Sequence, residues 1–110
     1  MNHNLRREVY QLHAEICQAI SDPNRILILY ALKDGAHNVG ELAESLTMSQ
    51  PTVSRHLKVL RERRMVLAER EGTNIYYTLA DPRVIEALNL LRAVLAGILE
   101  QRTALVEELM

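Results

Sequence analysis

Apolar residues recur at spacings of three and four along most of the chain, a pattern typical of amphipathic helices. The predicted helices cover residues 5–21, 24–33, 38–46, 49–64 and 81–109. After Arg64 the apolar period falls to two, which predicts paired strands over 65–70 and 74–79 with a turn at Gly72. The pattern therefore predicts one mainly α domain over residues 1–110 with a small β-hairpin, in which residues 1–4 form a flexible tail.

Residues that start helices stand at the predicted boundaries. Asp22 is placed to cap the second helix, and Pro23 to occupy its first position. Asn38 and Glu41 have the spacing of a capping box, in which each side chain bonds the other residue's backbone amide. Asp81-Pro82 predicts a further cap at the start of the last helix. Local chemistry and periodicity thus agree on where these helices begin.

Residues 38–64 have the arrangement of a helix-turn-helix: a short helix, a tight turn at Thr47-Met48 and a longer helix. Val53, Leu57 and Leu60 form the apolar stripe of that longer helix. Its other face begins with short hydrogen-bonding side chains and continues with cations, which suits entry into the major groove of DNA. The candidate DNA contacts on this helix are Ser49, Gln50, Thr52, Ser54, Arg55 and Lys58.

The hairpin over residues 65–79 is predicted to be a wing, because it directly follows the candidate recognition helix. Arg70, Thr73 and Asn74 lie near its tip, within reach of the DNA backbone or minor groove. The net charge of −1 conceals a local surplus, since residues 49–74 hold six Lys and Arg against three Asp and Glu. A basic patch on this part of the chain suits double-stranded DNA as the partner.

The last predicted helix is longer than a domain of this size can cover, since about 28 residues span roughly 42 Å. Its apolar stripe continues nearly to the end, and the first helix carries a similar stripe. We therefore expect these two helices to form the interface of a homodimer. The predicted interface residues are Leu5, Val9, Leu12, Ile16, Leu88, Leu91, Leu95 and Ile98.

Composition places the chain among cytoplasmic, non-membrane proteins. A single Cys cannot form an intrachain disulfide, which fits a reducing compartment. Charged residues stand near the start where a signal peptide needs an apolar run, and the apolar runs are too short to span a bilayer. The sequence has no nucleophile–histidine–carboxylate arrangement or phosphate-binding glycine loop, so we expect no enzymatic activity.

Four motifs occur in the order of these elements: SDPNR at residues 21–25, VGELA at 39–43, SQPTVSRHLKVL at 49–60, and REG at 70–72 with IYY at 75–77. On these motifs the chain resembles the ArsR/SmtB family of bacterial transcriptional regulators over residues 10–100. The resemblance implies a winged helix-turn-helix fold of five helices and a two-stranded wing. It also implies a dimer that represses its own operon and releases DNA on binding a metal ion or another signal.

The resemblance assigns roles to individual positions. It places Gln50, Ser54 and Arg55 where family members touch operator bases, and Val39 near another DNA contact. Pro51 departs from the family pattern, in which a small polar residue is common, so we expect that contact to be missing. His56 is common in the motif, and we expect it to be packed beside Leu57 rather than to contact a base.

The metal sites that the resemblance implies lack their ligands here. Glu41 to Leu46 contains no Cys where one group of family members has a cysteine pair, and soft metals need thiolates. Asp81 and Glu86 stand in the last helix, but no His follows His56 to complete a zinc site. Sensors that use a dithiol need two cysteines. We therefore expect no bound metal and no cofactor.

Two weaker candidates for a sensor remain. His13 and Cys17 are four residues apart and share a helix face, although a lone Cys more often serves as a small apolar residue at an interface. Met1-Asn2-His3 has the donor atoms for copper or nickel, although a flexible tail is the usual structure of such a start. The leading hypothesis is a homodimeric repressor that binds an imperfect inverted repeat. The alternatives are a one-cysteine redox or atypical metal sensor of the same fold, and a protein-interaction module that retains the fold.

Overall fold

Nine segments of regular structure follow one another along residues 2–110, the part of the chain that the computed structural model describes. In chain order they are α1 (His3–Leu12), a π-helical segment (His13–Cys17), α2 (Pro23–Ala31), β1 (His37–Asn38), α3 (Val39–Leu46), α4 (Gln50–Glu62), β2 (Val66–Glu71), β3 (Asn74–Leu79) and α5 (Arg83–Leu109). The five predicted helices and both strands of the predicted hairpin are present. The prediction of a mainly helical winged helix-turn-helix fold is confirmed.

The N-terminal helix differs from its prediction in two ways. Asn2 caps α1, because its side chain accepts a hydrogen bond of 2.7 Å from the amide of Asn4. Residues 2–4, which were predicted to be a flexible tail, form the cap and the first residues of α1, and Met1 lies outside the described residues. The backbone then widens into the π-helical segment before residues 18–19 return to α-helix. Apolar periodicity cannot reveal this change, because Leu12, Ile16 and Ile20 keep steps of four through it.

The sheet has three antiparallel strands in the order β1-β3-β2, so the two predicted strands of the wing are joined by a third strand, β1, that was not predicted. β1 pairs His37 with Tyr77 and Asn38 with Tyr76. A strand of two residues is too short to show alternation, which is why the sequence did not indicate it. The pairing fixes the residue that precedes α3 against β3, the central strand of the sheet. It thereby joins the helix-turn-helix to the hairpin.

The core is aliphatic and is built mainly by α2, α3 and α4. Its fully buried large side chains are Ile28, Leu29, Leu42, Val53, Leu57, Leu60 and Val66. On α2, Ile28 and Leu29 are fully buried, but Leu27 is 47% exposed. α2 therefore has one apolar face outside the core.

α5 packs on the core only near its start. The helix begins at Arg83 rather than Asp81, although the Asp81 carboxylate accepts a 2.9 Å hydrogen bond from the Arg83 amide. Its buried residues are Ile85 and Leu88. Leu88 is thus part of the core of its own chain, which corrects its assignment to the dimer interface. The part of α5 after Leu88 extends about 30 Å beyond that contact, at a rise of about 1.5 Å per residue. None of the helices within residues 2–110 is both long enough and apolar enough to cross a membrane.

Candidate nucleic-acid interface

The turn between α3 and α4 is set by side chains that satisfy free backbone groups. Asn38 Oδ1 accepts from the Glu41 amide at 2.8 Å, and Glu41 Oε1 accepts from the Asn38 amide at 3.0 Å, which confirms the capping box. At the other end of α3, Thr47 adopts a left-handed conformation with φ of 55°. The Met48 amide then donates to the Ala43 carbonyl at 2.9 Å and closes the helix. These contacts set the direction in which the chain enters α4.

Ser49 and Thr52 hold the start of α4. The Ser49 hydroxyl oxygen accepts from the Thr52 amide at 3.3 Å, and the Ser49 hydroxyl donates to Thr52 Oγ1 at 2.7 Å. Pro51 lies in the first turn, where its missing amide costs no helical hydrogen bond. Two of the candidate DNA contacts are therefore engaged with each other in the cap.

α4 has the two faces that its sequence predicts. Val53, Leu57 and Leu60 are buried in the core, while Gln50, Ser54, Arg55 and Lys58 are exposed. The exposed residues begin with an amide and a hydroxyl at the N-terminal end and continue with two cations. This order places groups that can read bases ahead of groups that can neutralise phosphates.

The wing brings its tip to the same part of the surface. Gly72 adopts a φ of +63° in the turn between β2 and β3, which an L side chain rarely adopts. Arg70 pairs across the hairpin with Ile75, while Thr73 and Asn74 follow the turn, and all four lie beyond the core.

A polar hollow of about 460 Å³ lies between the start of α3, the start of α4 and the wing. Five of the predicted DNA contacts line it: Val39, Gln50, Ser54, Thr73 and Asn74. Asn38, Gly40, Ile75 and Tyr77 also line it and were not among the predicted contacts. Arg55, Lys58 and Arg70 are exposed but do not line it. The fold thus gathers neutral hydrogen-bonding groups from three elements into one concave surface.

Gly40 lines the hollow between two polar side chains. A Cβ there would lie 3.4 Å from Asn38 Oδ1, which belongs to the capping box, and 3.7 Å from Nε2 of Gln50. Both distances are ordinary van der Waals contacts, so residue 40 has room for a Cβ. The VGELA motif contains Gly40, but the spacing of the motif does not disclose either neighbour.

His56 is buried on the inner face of α4, as the sequence predicted for a packed histidine. Its Nδ1 lies 3.4 Å from Nη1 of Arg25, and its Nε2 lies 4.0 Å from the Asp22 carboxylate. Burial lowers the pKa of His56, the Asp22 carboxylate opposes that shift, and the charges of Arg25 and Arg55 reinforce it. His56 therefore lies on the inner face of α4, beside Arg25 and Asp22, and the exposed face of the helix does not depend on it.

The candidate sensor residues lie in the π-helical segment. His13 and Cys17 are both exposed in the single chain. Between residues 2 and 110, no three His, Cys, Asp or Glu side chains lie close enough together to hold a metal ion. Glu15 of the same segment contacts Arg63 at 3.4 Å, just after α4.

Comparison with known sequences gives one family. The arsR family of bacterial regulatory proteins matches residues 22–67, which include the whole helix-turn-helix. The HTH-type transcriptional regulator Rv0081 of Mycobacterium tuberculosis, itself uncharacterized, is 37% identical over 102 residues, which are 92% of this chain and 90% of that protein. The transcriptional repressor SdpR of Bacillus subtilis is 36% identical over 74 residues, covering 67% of this chain and 82% of the relative.

Solved structures agree with the sequence comparison. The crystal structure of Rv0081 superposes with a TM-score of 0.75 at 35% identity, covering 86% of this chain and 96% of that one. A homodimeric winged helix-turn-helix DNA-binding domain from Mycobacterium bovis, solved by NMR, superposes with a TM-score of 0.74 at 28% identity, covering 91% and 93%. Such relatives are DNA-binding regulators of transcription and not enzymes. This chain therefore belongs to the arsR family of bacterial transcriptional regulators.

Proposed function

We propose that the chain is a homodimeric repressor that binds an imperfect inverted repeat in the promoter of its own operon. It acts in the cytoplasm, where a DNA-binding regulator meets the chromosome. Each protomer inserts α4 into the major groove of one half-site and lays the wing against the adjacent backbone or minor groove. Occupied operator DNA is then closed to transcription.

The polar hollow is the observation that carries this proposal. Gln50, Ser54, Thr73 and Asn74 come from two separate parts of the chain and line one surface. Their amides and hydroxyls can donate to and accept from base edges, while Arg55, Lys58 and Arg70 lie exposed for phosphates or guanine. Ser49 and Thr52 act through the cap that sets the entry angle of α4. Val39 supplies an apolar contact at the edge.

Dimerisation is supported by apolar side chains that a single chain leaves uncovered. On α1 and the π-helical segment, Leu5, Val9, Leu12 and Ile16 are 41–49% exposed. On α5, Leu91, Leu95 and Ile98 are 40–57% exposed. So many large apolar residues on two helices of one chain are typical of a surface that another chain covers. The M. bovis neighbour is a homodimer of the same fold.

Repression is supported by a relative, since SdpR is a transcriptional repressor. Regulation of the chain's own operon goes a step further and belongs to the proposal. We further propose that no metal site of the usual family kind operates here, because the cysteine pair and the late histidines are missing from the sequence. The alternative of a one-cysteine sensor is supported by one observation. Cys17 is exposed on the π-helical segment, whose neighbour Glu15 contacts Arg63 beside the recognition helix.

The test is fluorescence anisotropy with duplexes from the gene's own upstream region and with random duplexes of equal length. Lys58→Ala should weaken binding to both duplexes alike, because a phosphate contact carries no sequence information. Arg55→Ala should also reduce discrimination between them, by about 1–3 kcal/mol for each lost base contact. Arg102→Ala is the matched control, since this exposed arginine lies far along α5.

Salt dependence completes the test. A dimer that neutralises about six to eight phosphates should show a log–log slope of about −5 to −7. Equal losses on upstream and random DNA for Arg55→Ala would count against base reading by that residue. A wild-type chain that binds neither duplex would favour the protein-interaction module instead.

A further inference from the structure

We propose that a crevice between α2 and α5 binds a small organic anion with an apolar body, of the aromatic carboxylate class. The crevice has a volume of about 490 Å³. It is lined by Pro23, Ile26, Leu27, Tyr30 and Arg92. None of these residues lines the polar hollow or belongs to the proposed dimer interface, so the crevice is a separate site.

The walls are mostly aliphatic and aromatic. Leu27 is 47% exposed although its neighbours Ile28 and Leu29 on α2 are fully buried, so its apolar surface is turned to the crevice rather than to the core. Ile26 and Tyr30 are half-buried beside it. This shallow surface offers apolar contacts to a ligand on one side and the guanidinium of Arg92 at its rim.

The aromatic wall is fixed in place. The Tyr30 hydroxyl donates to Oδ1 of Asn89 on α5 at 2.7 Å. The guanidinium carbon of Arg92 lies 5.5 Å from the centre of the Tyr30 ring, within the range of a cation–π interaction. Because two contacts already hold the ring, little conformational entropy remains to be lost when a ligand packs on it.

Arg92 gives the crevice its charge preference. Across residues 2–110 no carboxylate comes within 4.0 Å of its guanidinium to form an ion pair. Nη1 of Arg92 donates a hydrogen bond to Oδ1 of Asn89 at 3.4 Å. The same oxygen accepts a shorter hydrogen bond from the Tyr30 hydroxyl. A guanidinium in this state can form two parallel hydrogen bonds with a carboxylate. An anion is therefore favoured at the rim and an apolar ring against the walls.

The location gives such a ligand a route to the rest of the molecule. Arg92 lies between Leu91 and Leu95 on α5, the helix assigned to dimerisation under the proposed function. A ligand that draws Arg92 away from Asn89 would change the contact between α2 and α5. Binding itself does not rest on the proposed function, so it can be tested without DNA.

The test is a calorimetric titration of the full chain with benzoate and with its uncharged counterpart, benzyl alcohol. We expect benzoate to bind with a dissociation constant of about 0.1–1 mM, the range for a ligand of this size. Arg92→Gln should weaken benzoate by about tenfold or more and leave benzyl alcohol nearly unchanged, because only the charged hydrogen bonds are lost. Arg102→Gln, an exposed arginine ten residues further along the same helix, is the matched control.

A second variant tests the walls. Leu27→Ala should weaken benzoate and benzyl alcohol to a similar extent, because it removes apolar contact and no charge. Circular dichroism of each variant shows whether it is folded. The proposal is overturned if benzoate shows no saturable binding to the wild-type chain, or if Arg92→Gln binds it as tightly. It is also overturned if Leu27→Ala changes the oligomeric state while benzoate fails to bind, since a second copy of the chain would then fill the crevice.

Discussion

Nη1 of Arg25 lies 3.4 Å from Nδ1 of His56, and this contact joins α2 to α4, the candidate recognition helix. The same guanidinium donates through Nε to the Ala19 carbonyl at 2.5 Å and through Nη2 to the Gln18 carbonyl at 3.1 Å. Those carbonyls close the helical run that follows the π-helical segment. Arg25 thus donates hydrogen bonds to free carbonyls at the end of one helix and contacts the inner face of α4. This double contact gives a structural reason for an arginine at the end of the SDPNR motif.

Stability should fall on acidification because of His56. Its pKa is lowered in the folded chain, chiefly by burial, so the unfolded chain binds more protons below about pH 6.5. Unfolding free energy should then decrease by up to about 1.4 kcal/mol per pH unit, from about pH 6.5 down to the folded pKa. Urea denaturation followed by circular dichroism at fixed protein concentration measures this slope. His56→Gln should lack this part of the slope, and equal slopes in both proteins would show that His56 does not contribute.

Arg64→Gly should stabilise the chain. Arg64 adopts a φ of +59° just after α4, where the Met65 amide donates to the Leu60 carbonyl at 2.9 Å. Glycine removes a Cβ strain of about 1–2 kcal/mol but adds unfolded-state entropy worth about 0.4–1 kcal/mol. We expect a net gain of about 0.5–1 kcal/mol in urea denaturation. The control is Arg61→Gly within α4, which should cost about 1 kcal/mol. A loss of stability in Arg64→Gly would mean that its side chain makes a stabilising contact larger than the strain.

The double variant Leu91→Asp, Leu95→Asp should give monomers or aggregates, because two charges would replace apolar contacts between α5 helices. Light scattering at micromolar concentration measures the mass, and the wild type should be a dimer. Leu67→Asp is the matched control, since Leu67 on β2 is 57% exposed, as Leu91 is, but lies on neither α1 nor α5. A monomeric wild type, or loss of the dimer in the control alone, would exclude the proposed interface.

Zinc, cadmium, nickel and arsenite should each change operator affinity by less than about tenfold, because a regulatory ligand must bind the two states of the dimer differently by about 1–3 kcal/mol. Too few thiolate and imidazole ligands are present to deliver that difference. Anisotropy with stoichiometric metal measures the effect, and a shift of tenfold or more would point to His3, His13 and Cys17.

Peroxide treatment of wild type and Cys17→Ser tests the redox alternative. Loss of binding in both proteins would exclude Cys17 as the sensor.

The parts of the fold that the sequence predicted are those controlled by local chemistry. The caps at Asp22 and Asn38 act within three residues, so their spacing is visible in the chain. The buried stripe of α4 follows directly from helical periodicity. The same reasoning identified the exposed residues of α4, because they occupy the positions that the stripe leaves free.

The parts of the fold that the sequence could not predict depend on contacts between distant segments of the chain. β1 is defined by its pairing with Tyr76 and Tyr77, some forty residues away, and not by any pattern of its own. Leu88 belongs to the same apolar stripe as Leu91, and only the packing of α5 on the core decides which of them is buried. The crevice beside Tyr30 likewise arises where α2 and α5 meet, so neither helix alone predicts it.

We propose above all that the chain is a two-fold dimer that reads DNA sequence with α4. Hydroxyl-radical footprinting on the gene's upstream region tests this most directly. We expect two protected patches related by two-fold symmetry over an imperfect inverted repeat. Their centres should be separated by one helical turn of about 10 base pairs or a multiple of it, because each protomer presents one recognition helix. A single protected patch, or uniform protection that does not depend on sequence, would contradict it.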